Sequence, residues 1–471
     1  MTQQMKLRLA AAKQEMVEEE GVKTGLSHRF DWDGSMKMAM QPPNNILRLD
    51  TQTREPSRRV YARIDSIDDV GEGSRDRLAL MDAVDANWVD QQGDGVRSLS
   101  SADIREMPTS VVAVTVDSTS RKRPAFSEMR GWRPGDWLQA DYNDGPSSVL
   151  VSFYTGLFAD PIEARASFAR SEPSLKAKLD AAFSLDQIPD ASIEKVSAIL
   201  AKGDGAASIN VLDVGQGNAI GLSRRKHDVS LYFDFGGGIL TNARTFPRID
   251  PTACISSTSA IVLSHWDWDH WSSGCRSPQA LECDWLVPRQ KLGAVHRAFA
   301  TELLERGHLH IWPSSLPSLT VGQITVEHCT GKDQNNSGLS MIVKQAPRRK
   351  KKSTVLLPGD ADYNSIPSVL KGVRFNGVVA SHHGSRVRSI ASVAAPRSGG
   401  TLVYSYGSGN VFGHPRLHSQ LDYLRAGWKP DNTLSTTQSV MRRPSNIAVS
   451  LTKERPHFHC ARCASRYITE L

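Results

Sequence analysis

The chain has 471 residues, 39% of them hydrophobic, and a formal net charge of +7 at pH 7. This length predicts two or three domains, and the hydrophobic content is typical of a folded chain with a sizeable core. The sequence has no apolar run near the roughly 18 residues of a membrane span and no apolar signal core at its N-terminus, so we expect a cytoplasmic protein without membrane contact. The positive charge is compatible with a polyanionic partner such as nucleic acid.

The cysteines are sparse for a chain of this length, which does not resemble a disulfide framework. Reduced thiols are therefore expected for Cys254, Cys275, Cys283, Cys329, Cys460 and Cys463.

The N-terminal part of the chain carries few functional signals. Residues 1–105 alternate short polar segments with turn signals such as "QPPNN" and "QQGDG"; their role is unassigned, and a protein partner could bind there. Residues 106–160 contain the strand-like runs "SVVAVTVDS" and "SSVLVSFYTG", which predict a small β-rich module, an antiparallel sheet or a barrel, with either a structural or a docking role. Residues 161–204 are predicted to be a helical connector, with Pro161 in a first turn and Gly203 as a stop.

Residues 205–455 alternate short strand-like runs with helical stretches. This pattern predicts an α/β domain in which two sheets pack together as a sandwich flanked by helices. Residues 456–471 form a C-terminal tail whose "HFHCARC" motif is compatible with a structural zinc site or with an ordinary reduced tail. The "HRFDWDG" stretch near the N-terminus has no strand context, and we interpret it as coincidental.

The stretch "SHWDWDHW", from Ser264 to Trp271, directly follows the apolar run "AIVL". Burying His265, Asp267, Asp269 and His270 together is costly unless they are paired or hold a metal. Imidazole suits zinc, iron or manganese, and carboxylates shift the preference towards harder ions such as manganese. Four ligands exceed the needs of one structural site, so the stretch predicts two metal ions that share the cluster.

Further polar residues follow apolar runs downstream and stand beside glycines, which permit close backbone approach. We expect these residues to meet at one rim of the sandwich: Asp213, Asp234, Asp360, His382, His383 and His414.

Taken in order, the motifs resemble the metallo-β-lactamase superfamily, and in particular the metallo-β-lactamase domain of the ComEC competence family. These motifs are "LDVGQGNA", "FDFGGG", "SHWDWDH", "NNSGLSMIV", "LLPGDAD", "SHHGS" and "GHP", within about residues 207–452. "HWDWDH" is similar to the HxHxDH signature, with Asp267 in place of its second histidine. The resemblance implies an αββα sandwich and a hydrolase with two divalent ions, zinc or manganese.

By this resemblance, His265 and Asp267 would hold the first ion, Asp269 and His270 the second, and Asp360 would bridge them. His414 would be the last metal histidine. Asp269 would also orient the attacking water, and either His382 or His383 would protonate the leaving group. A structural role as rim histidines is the alternative for this pair.

The chain departs from the family pattern at two places. Asn218 replaces an aspartate of the usual GQGD motif, and "GKDQNNSG" stands where many relatives carry a further metal histidine, so Asn335 or Asn336 would face the site. The orientation of the nearby His328 is not decided by the pattern. Supporting or substrate-binding roles are expected for Asp213, Gln216, Asn218, Asp234 and Asn336.

The family resemblance points to a phosphodiesterase or nuclease acting on DNA, in bacterial defence or DNA processing. Two basic turns would form a phosphate-binding rim if they flanked the site: Arg348, Arg349, Lys350, Lys351 and Lys352 in the first, and Arg224 and Arg225 in the second. A solvated turn that discourages edge pairing is the alternative for the first. The alternative functions are a hydrolase of a small ester, lactone, thioester or nucleotide, and a metal-binding regulatory module with weak or no catalysis.

Overall fold

The structure is a computed structural model of mixed α/β class, and all its described residues fall within one unit, 44–471. The described residues are 58–71, 76–116, 129, 131–145, 147–224, 229–248, 250–252, 255–345, 353–396, 399–432, 446–451 and 465–468. The N-terminal "HRFDWDG" stretch, the "HFHCARC" tail, Arg225 and the basic turn at 348–352 lie outside them. Within the described residues, no helix is both long and apolar enough to cross a membrane.

The first sheet is a closed six-stranded barrel in the order β1-β2-β3-β5-β6-β4. Alternate residues such as Ala62, Ile64 and Leu138 fill its interior, as the two-residue period of a strand requires. Its strands are β1 Arg59–Asp69, β2 Arg77–Asp85, β3 Thr109–Val116, β4 Trp137–Tyr142, β5 Val149–Tyr154 and β6 Ile162–Arg170. Helices α1 Ala86–Gln92 and α2 Ser101–Glu106 lie between β2 and β3.

The barrel corrects two expectations about the N-terminal half. It draws strands from residues 1–105 and 161–204 as well as from 106–160, so those expected boundaries do not delimit it. Pro161 precedes strand β6 rather than a helix, because pairing with β4 and β5 overrides the helical spacing. The connector is helical only at α3 Pro173–Ala182 and α4 Ile193–Ala201.

The second sheet has eight strands in the order β12-β11-β10-β9-β8-β7-β20-β21. Strands β9, β10, β11 and β12 run parallel, and their nearly continuous apolar sequences fit strands covered on both faces. The strands are β7 Ser208–Val211, β8 Ala219–Ser223, β9 Val229–Phe235, β10 Ala260–Val262, β11 Asp284–Val287, β12 Leu309–Ile311, β20 Asn446–Ser450 and β21 Ser465–Ile468.

The third sheet has seven strands in sequential order from β13 to β19. Strands β13 to β16 are antiparallel, whereas β16 to β19 are parallel. The strands are β13 Ser318–Val321, β14 Ile324–His328, β15 Leu339–Lys344, β16 Thr354–Leu357, β17 Gly377–Val379, β18 Gly400–Tyr404 and β19 Trp428–Asn432.

The second and third sheets share one apolar core, to which Phe233 and Ile220 contribute from one side and Met341 and Leu357 from the other. Helices cover both outer faces. The remaining α-helices are α5 Trp268–Trp271, α6 Pro278–Leu281, α7 Ala294–Glu305, α8 Pro367–Leu370 and α9 Leu417–Arg425. Short 3₁₀ helices span Gly93–Ser98, Leu240–Thr245, Ser272–Cys275, Asn335–Ser337, Tyr363–Ser365, Ser381–Gly384 and Ile390–Val393.

Helix α7 packs through Phe299 on the outside of the second sheet, and α9 packs through Tyr423 on the outside of the third. The order of layers is therefore helix, sheet, sheet, helix, which agrees with the sandwich expected from the sequence.

The barrel is attached to the sandwich through buried polar contacts at the start of helix α7. The carboxylate of Asp82 accepts hydrogen bonds from the backbone N–H of Val295 at 2.8 Å and of His296 at 3.3 Å. The His296 Nε2 atom lies 2.9 Å from Asp65 Oδ1 on strand β1. Only glycine fits at position 293, because an added Cβ would lie 2.3 Å from the Asp82 carboxylate.

Candidate metal centre

The candidate metal centre lies where parallel strands of both sheets end. The loop after β10 carries His265, and the loops after β16 and β17 carry Asp360 and His383. Since the carboxyl ends of parallel strands meet at one edge of a sheet, ligand sites in α/β proteins commonly lie there. The sandwich brings the two edges together, so these loops face each other.

The motif loop 264–271 fits against strand β9 because glycines leave room for its backbone. A Cβ on Gly236 would lie 1.8 Å from the carbonyl oxygen of Asp269, and one on Gly217 would lie 2.6 Å from it. That carbonyl accepts hydrogen bonds from the backbone N–H of Asn218 at 3.0 Å and Gly237 at 3.1 Å. The glycines of "GQGN" and "FDFGGG" therefore set the position of the motif loop.

A first group of donors surrounds the Nε2 atom of His265. This atom lies 3.1 Å from Asp267 Oδ2 and 3.9 Å from Asp360 Oδ2. The other Asp267 oxygen accepts a hydrogen bond from Gln334 Nε2 at 2.8 Å, which fixes the carboxylate.

A second group is formed by Asp269, His270 and His383. His270 Nε2 lies 3.9 Å from Asp269 Oδ1, and His383 Nε2 lies 3.2 Å from Asp269 Oδ2. Asp360 stands between the groups, with Oδ1 3.1 Å from His270 Nε2 and Oδ2 on the side of His265. The structure therefore brings together five of the six residues expected to bind metal, and it adds His383.

The chemistry of these donors fits divalent metal ions. The Nε2 atoms of His265, His270 and His383 are buried and make no hydrogen bond among the described residues. Buried polar atoms are normally satisfied. Imidazole nitrogens that face carboxylate oxygens without making a hydrogen bond are the donors that zinc and manganese accept. Two sets of three donors have their ligand atoms within 4.8 Å of one another: His265, His270 and Asp360, and Asp269, His270 and His383.

Buried partners orient two of these histidines from behind. His270 Nδ1 lies 2.8 Å from Asp234 Oδ2, and Asp234 Oδ1 accepts the backbone N–H of Ser264 at 2.7 Å. Asn218 Nδ2 donates to Asp234 Oδ2 at 2.9 Å, a bond that an ionised aspartate at position 218 could not make. His383 Nδ1 lies 2.8 Å from the carbonyl oxygen of Ser405, so it donates and leaves Nε2 free to bind.

His382 faces the cavity from a different direction. Its Nε2 lies 3.6 Å from Asp360 Oδ2 and 3.9 Å from Asp68 Oδ1, and its side chain is 21% exposed. Both His382 and His383 have left-handed backbone conformations, with φ of 51° and 55°. The two side chains are thereby aimed differently, one towards Asp269 and the other towards the open cavity.

At two residues of the site, nearby charges shift the pKa more strongly than burial does, and in the opposite direction. Burial lowers the pKa of His270, but Asp360 and Asp234 outweigh it and raise the pKa well above its ordinary value. Burial raises the pKa of Asp360, but His270, His382 and His383 outweigh it and hold the pKa well below its ordinary value. Asp360 is therefore ionised and available as a bridging ligand.

His414 does not join either donor group, in contrast to its expected role as the last metal histidine. Its Nδ1 lies 3.3 Å from Gln216 Nε2, and its ring centroid is 5.6 Å from that of His382. Burial, followed by His382 and His383, lowers the pKa of His414 well below its usual value, so the ring is neutral. His383, which was expected as a possible proton donor, lies beside Asp269 and His270 instead.

Three other polar residues have structural surroundings rather than metal contacts. The backbone N–H of Asp213 donates to Asn446 Oδ1 at 2.7 Å, in the turn before "GQGN". Asn336 binds Asp333 and the backbone N–H of Asp362, whereas its neighbour Asn335 lines the cavity. His328 is absent from the described cavity lining and from both donor groups.

Arg224, the described residue of the expected basic turns, does not flank the metal centre. In the β8–β9 hairpin, the pair Ala219–Phe235 lies at the end near Asp234, and Ser223–Val229 lies at the far end with Arg224. Arg224 Nε instead donates to the carbonyl oxygen of Asp204 at 2.9 Å.

The turn with residues 348–352 and the residue Arg225 lie outside the described residues. Their expected contact with phosphates therefore stays a prediction.

The sequence analysis missed the contribution of the barrel. The metal centre opens into a cavity of about 240 Å³, and its lining includes Asp68 and Leu80 from barrel strands β1 and β2. No motif marks these residues, which lie about 200 positions before the first metal residue. Only the folded barrel brings them to the site.

Comparison with known proteins gives weak structural matches. No protein-family model and no curated protein matches the chain. Zn(2+)-bound PqqB from Methylobacterium extorquens is 10% identical, with a TM-score of 0.31 over 48% of this chain and 97% of that one. The subclass B3 metallo-β-lactamase MEM-A1 from a soil metagenome library is 12% identical, with a TM-score of 0.23 over 39% of this chain and 83% of that one. MIM-1 from Novosphingobium pentaromativorans, described as a metallo-β-lactamase, is 13% identical, with a TM-score of 0.22 over 47% of this chain and 90% of that one. We draw no functional conclusion from matches this weak.

Proposed function

We propose that this chain is a metal-dependent hydrolase that cuts phosphodiester bonds with the help of two divalent ions, zinc or manganese, and that DNA is its substrate. One observation carries the metal-dependent part of the proposal, and the resemblance of the sequence motifs to the ComEC family supports the choice of DNA. Three buried Nε2 atoms without hydrogen bonds face carboxylates, and Asp360 presents one oxygen to each of two donor groups.

The residues of the site would be shared between two ions. His265, Asp267 and Asp360 would hold one ion, and Asp269, His270, His383 and Asp360 the other. When bound, the ions would supply Lewis-acid activation of water and stabilise charge on phosphoryl oxygens. Asp234 holds the His270 ring in place, and the Ser405 carbonyl holds the His383 ring.

The proton of the leaving group would come from His382. Hydrolysis adds a water oxygen to phosphorus and breaks the bond to the bridging oxygen, which leaves as a hydroxyl group and needs one proton. His382 Nε2 lies beside Asp360 but belongs to neither donor group, and its partial exposure lets substrate reach it. His382 is therefore the proton donor in this proposal, and His383 is a ligand.

A cleavage assay tests the proposal. Single-stranded and duplex DNA are incubated with wild type and with the variant Asp269→Asn, in manganese, magnesium or zinc. Asp422→Asn is the matched control, because Asp422 lies on helix α9 and pairs with Arg425. The proposal requires metal-dependent cleavage by wild type and the control, and its loss in Asp269→Asn. DNA left intact by a wild type that binds two metal ions would contradict it.

The cavity also favours a second candidate function, the hydrolysis of a small ester, lactone, thioester or nucleotide. Ligand cavities commonly measure about 300–1,000 Å³, and this one measures about 240 Å³. None of the described residues that line it is lysine or arginine. Neutralising residues 348–352 separates the two functions, since a nuclease that uses this basic turn would be impaired and a small-ester hydrolase would not.

A further inference from the structure

The barrel forms part of the wall of the cavity into which the metal centre opens. Strand β1 contributes Ser66, Ile67 and Asp68, and strand β2 contributes Leu80. This wall is held in place by the contact between Asp65 and His296 and by Arg416, whose Nη2 donates to the carbonyl oxygen of Asp69 at 2.6 Å. The wall is therefore a fixed part of the site.

The cavity surface between the barrel and the loop 239–246 is apolar. Ile67 and Leu80 of the barrel stand with Leu240 and Phe412 of the sandwich in the lining. The Phe412 ring is close to parallel with that of His414, at 5.5 Å between centroids and 27° between planes. Such a surface gains free energy by covering a flat or apolar group.

A few polar side chains stand in the same lining. Asp68 presents a carboxylate 3.9 Å from His382 Nε2, and Thr241 and Asn335 also line the cavity. An apolar surface with a few polar groups is the usual composition of a small-molecule site.

The charges of the lining limit which group can bind there. Its charged side chains are aspartates and histidines, without lysine or arginine among the described lining residues. A second phosphate or a carboxylate inside the cavity would meet carboxylates with no lysine or arginine to pair with. The cavity therefore suits one uncharged ring system with hydrogen-bonding edges next to the scissile phosphate, with the other phosphates of a DNA strand outside the cavity.

We propose that the barrel wall and the loop 239–246 form a nucleoside subsite, which seats the uncharged nucleoside next to the phosphodiester bond that is cut. This inference rests on the proposed phosphodiesterase function and names the substrate group that the site selects. The barrel is then the specificity element of the enzyme. Ile67 and Leu80 cover the base, and Asp68 accepts a hydrogen bond from the nucleoside.

Binding of free nucleosides tests the subsite without using the metal centre. Thymidine and adenosine are titrated into the full chain without added metal, with calorimetric detection. Ile67→Glu places a charge in the apolar wall and should weaken binding at least about tenfold. Ile162→Glu is the matched control, because Ile162 lies on barrel strand β6 with 44% exposure and outside the described lining. Its binding should equal that of wild type.

Kinetics with two phosphodiesters give the second readout. Thymidine 5′-(4-nitrophenyl phosphate) carries a nucleoside, and methyl 4-nitrophenyl phosphate does not. Ile67→Glu should raise KM for the first at least about tenfold and change hydrolysis of the second less than about twofold. Asp68→Asn, which conserves shape, should raise KM for the first ester only.

The outcomes separate the two proposals. If neither ester is hydrolysed with any metal, the phosphodiesterase function fails, whereas nucleoside binding that depends on Ile67 still supports the subsite. If wild type does not bind nucleosides at millimolar concentration, or if Ile67→Glu impairs both esters equally, the subsite is refuted while the phosphodiesterase function stands.

Discussion

The assignment of His383 rather than His414 as a metal ligand leads to a sharp prediction. In His383→Ala, the group of Asp269, His270 and His383 loses one of three donors whose ligand atoms lie within 4.8 Å of one another. Removing a residue that hydrogen-bonds to a metal ligand typically lowers metal affinity about 10–100-fold. Removing the ligand itself should therefore lower the affinity about 100-fold or more, which corresponds to about 2.7 kcal/mol. His414→Ala removes a ring outside both groups and should change affinity less than about threefold.

The assay is a titration of metal-free protein with zinc and with manganese against a competing chelator, followed by metal analysis of the gel-filtered protein. Wild type and His414→Ala should retain two ions per chain, and His383→Ala about one under the same conditions. Thermal unfolding without metal controls for folding, because His383→Ala also leaves the Ser405 carbonyl without its 2.8 Å partner. Loss of an ion in His414→Ala but not in His383→Ala would refute the reasoning.

Three further predictions test the surroundings of the site. Gly236→Ala should lower the free energy of unfolding by about 3 kcal/mol or more, because the new Cβ would lie 1.8 Å from the carbonyl oxygen of Asp269; a wild-type melting temperature would contradict this close approach. Burial raises the pKa of Asp82 to about 6, so the folded state binds a proton more tightly than the unfolded state. The free energy of unfolding should therefore fall by about 3 kcal/mol as the pH rises from about 4 to about 6. Urea titrations at several pH values should show this fall in the unfolding free energy of wild type and not in that of Asp82→Asn. The same pH dependence in both proteins would argue against a raised pKa of Asp82. Burial also raises the pKa of three thiols to about 12, so they should react with a disulfide reagent at pH 8 only after unfolding, and fast reaction in the folded state would contradict their burial. These thiols are Cys275, Cys283 and Cys329.

The candidate metal residues could be grouped from the sequence because their positions are local. His265, Asp267, Asp269 and His270 lie within six residues after one buried strand, and Asp360 follows another, so strand ends alone bring them near each other. The choice between His383 and His414 depends on which Nε2 atom faces Asp269. That depends on left-handed backbone angles and on the Ser405 carbonyl, which the spacing of residues does not encode.

The errors in the rest of the chain have definite physical origins. The segment 162–170 has helical spacing, but its pairing with strands on both sides decides its conformation. The wall formed by Ile67 and Leu80 comes from a barrel whose strands are distant in sequence.

The left-handed conformations of His382 and His383 have a consequence for the evolution of this chain. For residues with a side chain, such a conformation costs about 1 kcal/mol or more each, and here two stand in succession. A glycine at position 382 would relieve part of that cost and remove the proposed proton donor together with it. Selection for stability and selection for turnover therefore act in opposite directions on one residue, and variants selected only for heat resistance should lose histidine there before they lose the metal ligands.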